Sequence, residues 1–87
     1  MEIKIIDDTE KHRVCNMTLG SFEKTEYSYN QNNDKLFLVS NGNGIVTINT
    51  VDFNISKKSS FFVESTKEYL IANTSEEELN LIQIEIF

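Results

Sequence analysis

Apolar and polar residues alternate along most of this chain and apolar residues at helical spacing are nearly absent, so the elements it predicts are short β-strands. Ile3 and Ile5 alternate with Glu2 and Lys4, and the polar stretch 7–11 breaks that run. Val14, Cys15, Met17 and Leu19 form a second apolar stretch, closed by Gly20. Residues 22–29 form a third, with Thr25, Tyr27 and Tyr29 on one face. Residues 36–39 are apolar on both faces, as a strand buried on both sides requires. Ile45, Val46 and Ile48 carry the next strand, Phe53 and Ile55 another, and Phe61-Phe62-Val63 and Tyr69–Ala72 two more. The last runs from Leu79 to Phe87, with Ile82, Ile84 and Ile86 on one face and Leu81, Gln83, Glu85 and Phe87 on the other.

The breaks between these runs carry turn chemistry. Residues 30–34 are a run of turn-forming character. Asn41-Gly42-Asn43-Gly44 is the most specific local signal, because Asn-Gly pairs tolerate positive φ and favour a tight hairpin between alternating strands. Further turns are predicted at 49–51, 57–60, 64–68 and the acidic loop 74–78. Eight or nine short strands at even spacing predict an all-β sandwich or barrel in one domain over residues 1–87.

Length and charge narrow the options. A chain of 87 residues buries little more than half of its unfolded surface and is marginally stable, so covering a further face with a second copy would help. The single cysteine, Cys15, excludes an intrachain bridge and fits a reducing compartment; a cytoplasmic location is expected. The start alternates and is charged, with no leader-like apolar run, and no stretch is long enough to span a membrane as a helix. A formal charge of −6 argues against nucleic acid and anionic membranes as partners. The Asn-, Lys- and Ile-rich composition fits AT-rich coding, as in a low-GC bacterium or its phage.

From Asp34 onward the order of these signals resembles the cupins, a family of small jelly-roll β-barrels. Leu36–Gly44 is similar to the family's strand and Gly-x-Gly turn, Ser60–Val63 to the strand entering the second cupin motif, and Tyr69–Asn73 and Leu79–Ile86 to the two closing strands. Within cupins the likeness is greatest to the C-terminal cupin domain of bacterial type I mannose-6-phosphate isomerases, over roughly residues 13–87. The resemblance implies a cupin-like jelly-roll barrel. Metal-binding cupins carry a His-x-His pair and a Glu before the glycine turn, and one more His in the second motif. Here those positions hold Ser28, Asn30 and Lys35, or in the other register Tyr27, Tyr29 and Asp34, with Tyr69 in place of the last His. A transition metal needs several imidazole, thiolate or carboxylate groups at one point, and neither register supplies more than one. No metal and no cofactor are therefore expected. The isomerase's C-terminal cupin is not its catalytic domain, so that likeness implies a non-enzymatic module.

Four candidate ligand-binding residues follow from the resemblance. Tyr27, Tyr29 and Tyr69 would lie near the barrel mouth, where they stack on a sugar or donate hydrogen bonds, or simply fill the barrel. Asn73 matches the family's Asn; like Asn30 it orients a ligand or caps a turn at a strand end. No catalytic residue is assigned. His12, the only histidine, stands outside both motifs, and its neighbourhood with Cys15 lacks the third group that nucleophilic chemistry needs. Lys35 is the only basic residue close to the motif that could lower a tyrosine's pKa. Gly42-Asn43-Gly44 is no phosphate loop, since no helix follows it.

Three functions compete. The first is a metal-free, non-catalytic binding module, homodimeric, for a small polar ligand such as a sugar derivative. The second is a small acidic protein-interaction module, an inhibitor or accessory subunit of possible phage origin, favoured by Glu76-Glu77-Glu78. The third is a metal-independent sugar isomerase or epimerase. A homodimer is expected because residues 81–87 are apolar on both faces and only one face can line the barrel.

Overall fold

The computed structural model describes all residues except 30–32. Nine strands are described: β1 (Glu2–Asp8), β2 (His12–Leu19), β3 (Ser28–Tyr29), β4 (Asp34–Asn41), β5 (Asn43–Ile48), β6 (Val51–Ser56), β7 (Ser60–Val63), β8 (Glu68–Asn73) and β9 (Leu79–Ile86). They form a five-stranded sheet in the order β1-β2-β9-β4-β7 and a four-stranded sheet in the order β3-β8-β5-β6. All pairings are antiparallel, and the sheets pack face to face as a jelly roll. No helix among the described residues is long and apolar enough to cross a membrane.

Alternation decides what lies between the sheets. Met17 and Leu19 of β2, Phe37 and Val39 of β4, Val63 of β7, and Leu79 and Leu81 of β9 point inward from the larger sheet. Val46, Ile55, Tyr69 and Ile71 meet them from the smaller one. Burying a side chain of this size stabilises by roughly 1.5–3 kcal/mol, which is what fixes the register of each strand. Cys15 is a free thiol buried on the same inward face.

Three expectations need correction. The Asn41–Gly44 turn does not close a hairpin: β4 and β5 lie in different sheets, and the turn carries the chain from one to the other. Gly42 takes φ 94°, and its bare Cα faces the Glu78 carbonyl, which a Cβ would approach to 2.4 Å. The glycines are there for close approach of backbones, and the tight hairpin is the next one, Asn49-Thr50, with φ 46° and 69°. The third apolar stretch is not a continuous strand. Phe22 takes φ 55° and turns to solvent, Lys24 makes an isolated bridge to Ala72, and regular pairing returns only at Ser28. Between them the Thr25 N–H donates to the Ile71 carbonyl at 2.9 Å while its hydroxyl accepts the Ile71 N–H at 3.0 Å, a side-chain oxygen standing in for one ladder acceptor. Finally, β1 is paired but exposed along its whole length, with Ile3 and Ile5 more than half exposed despite their alternation. The turn expected at 30–34 lies largely outside the described residues; β4 already begins at Asp34.

Candidate functional site

The core does not reach the end of the barrel where β1 and β3 form the sheet edges. There the inward face of the larger sheet turns polar: Lys35 precedes Phe37 on β4, and Gln83 follows Leu81 on β9. A cavity of about 540 Å³ opens at this point. Its walls are Met17, Lys35 and Gln83 from one sheet, Ser28 and Tyr69 from the other, and Thr25 from the segment between β2 and β3. Ile3 of the exposed β1 edge closes one side.

Its centre is a Lys35–Tyr69 contact. The Lys35 ammonium donates to the Tyr69 hydroxyl at 3.1 Å and lies 5.4 Å from the tyrosine ring centroid. Tyr69 is 5% exposed, and its ring leans on Phe37 with centroids 5.6 Å apart. Phe37 in turn stacks on Phe61 at 4.8 Å. The hydroxyl is thus held at the cavity wall by aromatic packing beneath it. At the rim the Glu23 carboxylate is held below the usual carboxylate range, first by a hydrogen bond from the Met1 ammonium and then by the Gly20 N–H. It stays ionised but already answered.

Of the four tyrosine and asparagine candidates, the structure brings Tyr69 to this cavity. Tyr27 is 54% exposed and does not line it. Tyr29 of β3 pairs through its backbone with Glu68 of β8, and its side chain lies outside what the structure describes. Asn73 is buried away from it, where its amide nitrogen donates to the carbonyls of Leu19 (3.2 Å), Gly20 (2.8 Å) and Glu77 (2.7 Å) and its oxygen accepts the Ser75 N–H. Two N–H groups shared among three carbonyls make a local staple between the ends of β2 and β8. Asn73→Ala should therefore lower stability by about 1–3 kcal/mol through orphaned carbonyls; a urea midpoint unchanged from wild type would contradict that role.

The remaining positions with metal-ligand spacing do not assemble. Ser28 and Lys35 both line the cavity, Asp34 accepts the Ser65 N–H at 2.8 Å, and Asn30 lies outside the described residues. Among the described residues no three His, Cys, Asp or Glu side chains converge. His12 starts β2 at the surface, with Nε2 2.8 Å from Asp7 and Nδ1 3.3 Å from the Thr9 hydroxyl. Such an exposed pair adds little stability. Arg13 points the other way, against Asp8, whose carboxylate holds the guanidinium above its ordinary pKa.

Gln83 and Thr25 also line the cavity, and neither carries a family signature that marks it as a site residue. Gln83 had a signal: it interrupts the apolar inward face of β9 just where Lys35 does so on β4, and these two strands are paired.

Comparison with known proteins agrees with this geometry. The family model described as Mif2/CENP-C like matches residues 14–84. The Cnp3 cupin domain of Schizosaccharomyces pombe superposes with a TM-score of 0.94 at 19% identity, over 97% of this chain and 62% of that one. BH2720 of Bacillus halodurans superposes with a TM-score of 0.94 at 14% identity, over 97% and 68%. KdgF of a Halomonas species gives 0.87 at 12% identity, over 98% and 77%. The chain thus spans less than two thirds of the Cnp3 structure. No curated protein matches it. At such identities these likenesses establish the fold, a cupin jelly roll.

Proposed function

The chain belongs to the Mif2/CENP-C-like family, and from that premise we propose that it is a non-catalytic binding module that works as a homodimer. The observation that carries this reading is the outer face of the five-stranded sheet. Val14 of β2 pairs with Ile84 of β9, Ile84 with Leu36 of β4, and Leu36 with Phe62 of β7. Four apolar side chains therefore cross four strands in one row, turned away from the core. Ile82 pairs with Leu38 in the row on one side of it, and Ile86 stands on the other side, between His12 and Asp34. Phe62 is 47% exposed, Ile86 44% and Leu38 38%. A contiguous apolar patch on a small domain marks an interface. On β2, β9, β4 and β7 the two rows carry no charged side chain, and charge enters only at the β1 edge with Asp7 and Lys4, so a copy related by a two-fold axis matches the apolar part without any opposite-sign partner. The wild-type chain is expected to sediment at micromolar concentration with about twice its 10.0 kDa mass. Ile84→Lys, in the middle of the first row, should return it to the mass of one chain. Wild type at single-chain mass would sink the dimer, and an unchanged mass for Ile84→Lys would move the interface off this face.

The cavity at Tyr69 is the module's place for a small polar ligand. Its convergent polar groups are the Lys35 ammonium, the Tyr69 phenol, the Thr25 and Ser28 hydroxyls and the Gln83 amide, and Met1, Glu23, Lys24 and Glu26 line it as well. One observation favours a protein partner as a second reading: Glu76, Glu77 and Glu78 stand exposed in the β8–β9 loop. The same sedimentation samples, mixed with a basic peptide, test that docking.

A further inference from the structure

The Lys35–Tyr69 contact leaves both groups with bonds still to give. The Lys35 ammonium has three N–H groups. One goes to Tyr69, and among the described residues no carboxylate lies within ion-pair distance of it. Glu85 stands opposite it in register on β9 and accepts the Asn33 amide at 2.9 Å. The Tyr69 hydroxyl uses its oxygen as acceptor for Lys35, so its proton is free for a second acceptor; none is found among the described residues. A half-buried cation answered only by a neutral oxygen and an aromatic face is under-compensated. What this arrangement lacks is an acceptor with negative charge.

We propose that the cavity binds a small organic anion, its carboxylate or phosphate oxygens bridging Lys35 Nζ and Tyr69 Oη. The remainder of the lining fixes the rest of the molecule. Gln83 and Ser28 offer polar contacts, while Ile3 and Met17 line the cavity with apolar surface. A cavity of about 540 Å³ takes a molecule the size of one phosphorylated or oxidised sugar. The rim does not forbid an anion: Glu23 is already paired with the Met1 ammonium and the Gly20 N–H, and the exposed Glu26 shares the lining with the cation Lys24. Charge-assisted bonds to Lys35 and Tyr69 would be short and strong in this half-enclosed position.

This inference rests on the cavity being a ligand site, and the experiment separates the two. Titration calorimetry of the full chain uses four probes: glucose, glucose 6-phosphate, gluconate and inorganic phosphate. Glucose 6-phosphate or gluconate is expected to bind while glucose does not, and which of the two binds tells phosphate from carboxylate. Lys35→Met keeps the length of the side chain and should weaken that binding about tenfold or more, and Tyr69→Phe should weaken it by a smaller factor. Circular dichroism of both variants confirms that they are folded. Glucose binding as tightly as its phosphate, with Lys35→Met unaffected, overturns the anion and leaves the polar-ligand reading standing. Anion binding that survives Lys35→Met places the anion elsewhere and also overturns it. No heat from any probe at about 10 mM, far above the range of specific affinities, overturns both.

Discussion

Gly44→Ala is expected to lose about 3 kcal/mol or more of folding stability, the upper end of what overpacking a rigid site costs. A Cβ at this position would lie 2.4 Å from the Ala72 carbonyl oxygen and 2.9 Å from Leu79 Cδ2. The leucine could swing away. The carbonyl cannot, because Ala72 is held in the β8 ladder opposite Ile45 on one side and bridged to Lys24 on the other. Relief would require β5 and β8 to separate in the middle of the smaller sheet. A chain of 87 residues has roughly 4–13 kcal/mol to lose, so the variant should unfold at a far lower urea concentration than wild type. Gly20→Ala is the control. Its Cβ would meet only Glu23 Oε1, at an ordinary 3.8 Å, and the loss of unfolded-state freedom should leave it neutral or slightly stabilised. If the two variants unfold at the same urea concentration, the close approach at Gly44 is not what the glycine is for.

That prediction also shows what kind of information the sequence held. Asn41–Gly44 was legible as a place where the backbone turns and comes close to something, because glycine has a local signature. What it comes close to was not legible, since the β8–β9 loop enters only through the tertiary fold. Hence a hairpin was read where the chain changes sheets. Strands such as β2, β8 and β9 announced themselves as apolar runs between turn signals and are found where they were expected. The segment 22–29 misled because its alternation is shared between two jobs. Thr25 is buried and bonded to β8, while Tyr27, two residues on, is turned to solvent. No local rule tells those apart. The candidate site was half legible for a similar reason. Tyr69 and Lys35 were marked by standing where the metal ligands of related barrels stand. The cavity itself arises because the inward faces of β4 and β9 turn polar at the same end, which is visible only once the two strands are paired. The resemblance to cupins holds at the level of fold, and the matched family is Mif2/CENP-C like; the finer likeness to the isomerase domain has no counterpart among the structures named above.

Phe37→Ala is expected to be the most destabilising single truncation, about 3–5 kcal/mol, and to damage ligand binding as well as folding. Phe37 is fully buried at the centre of β4, an interior strand of the larger sheet. Its ring stacks on Phe61 with centroids 4.8 Å apart and 14° between planes, and it meets Tyr69 at 5.6 Å with a tilt of 55°. Removing it opens a void that the paired strands on either side, β7 and β9, cannot collapse to fill. The aromatic contacts add about 0.5–1.5 kcal/mol each beyond the area buried. Phe37→Leu keeps most of the volume and should cost clearly less, so the ratio of the two separates the cavity from the loss of stacking. The consequence for binding follows from position. Phe37 lies directly beneath the Tyr69 ring, and the Tyr69 hydroxyl meets Lys35 from the same strand two residues away. With the support gone, the tyrosine is free to tilt, and the pair no longer presents its donors together. In Phe37→Leu, which should remain folded, the binding of an anion probe is expected to weaken although no group that touches it has changed. Because a dimer stabilises the folded chain by mass action, unfolding of both variants must be followed at one fixed protein concentration. If Phe37→Leu bound the probe as tightly as wild type, Tyr69 would be positioned by something other than the ring below it.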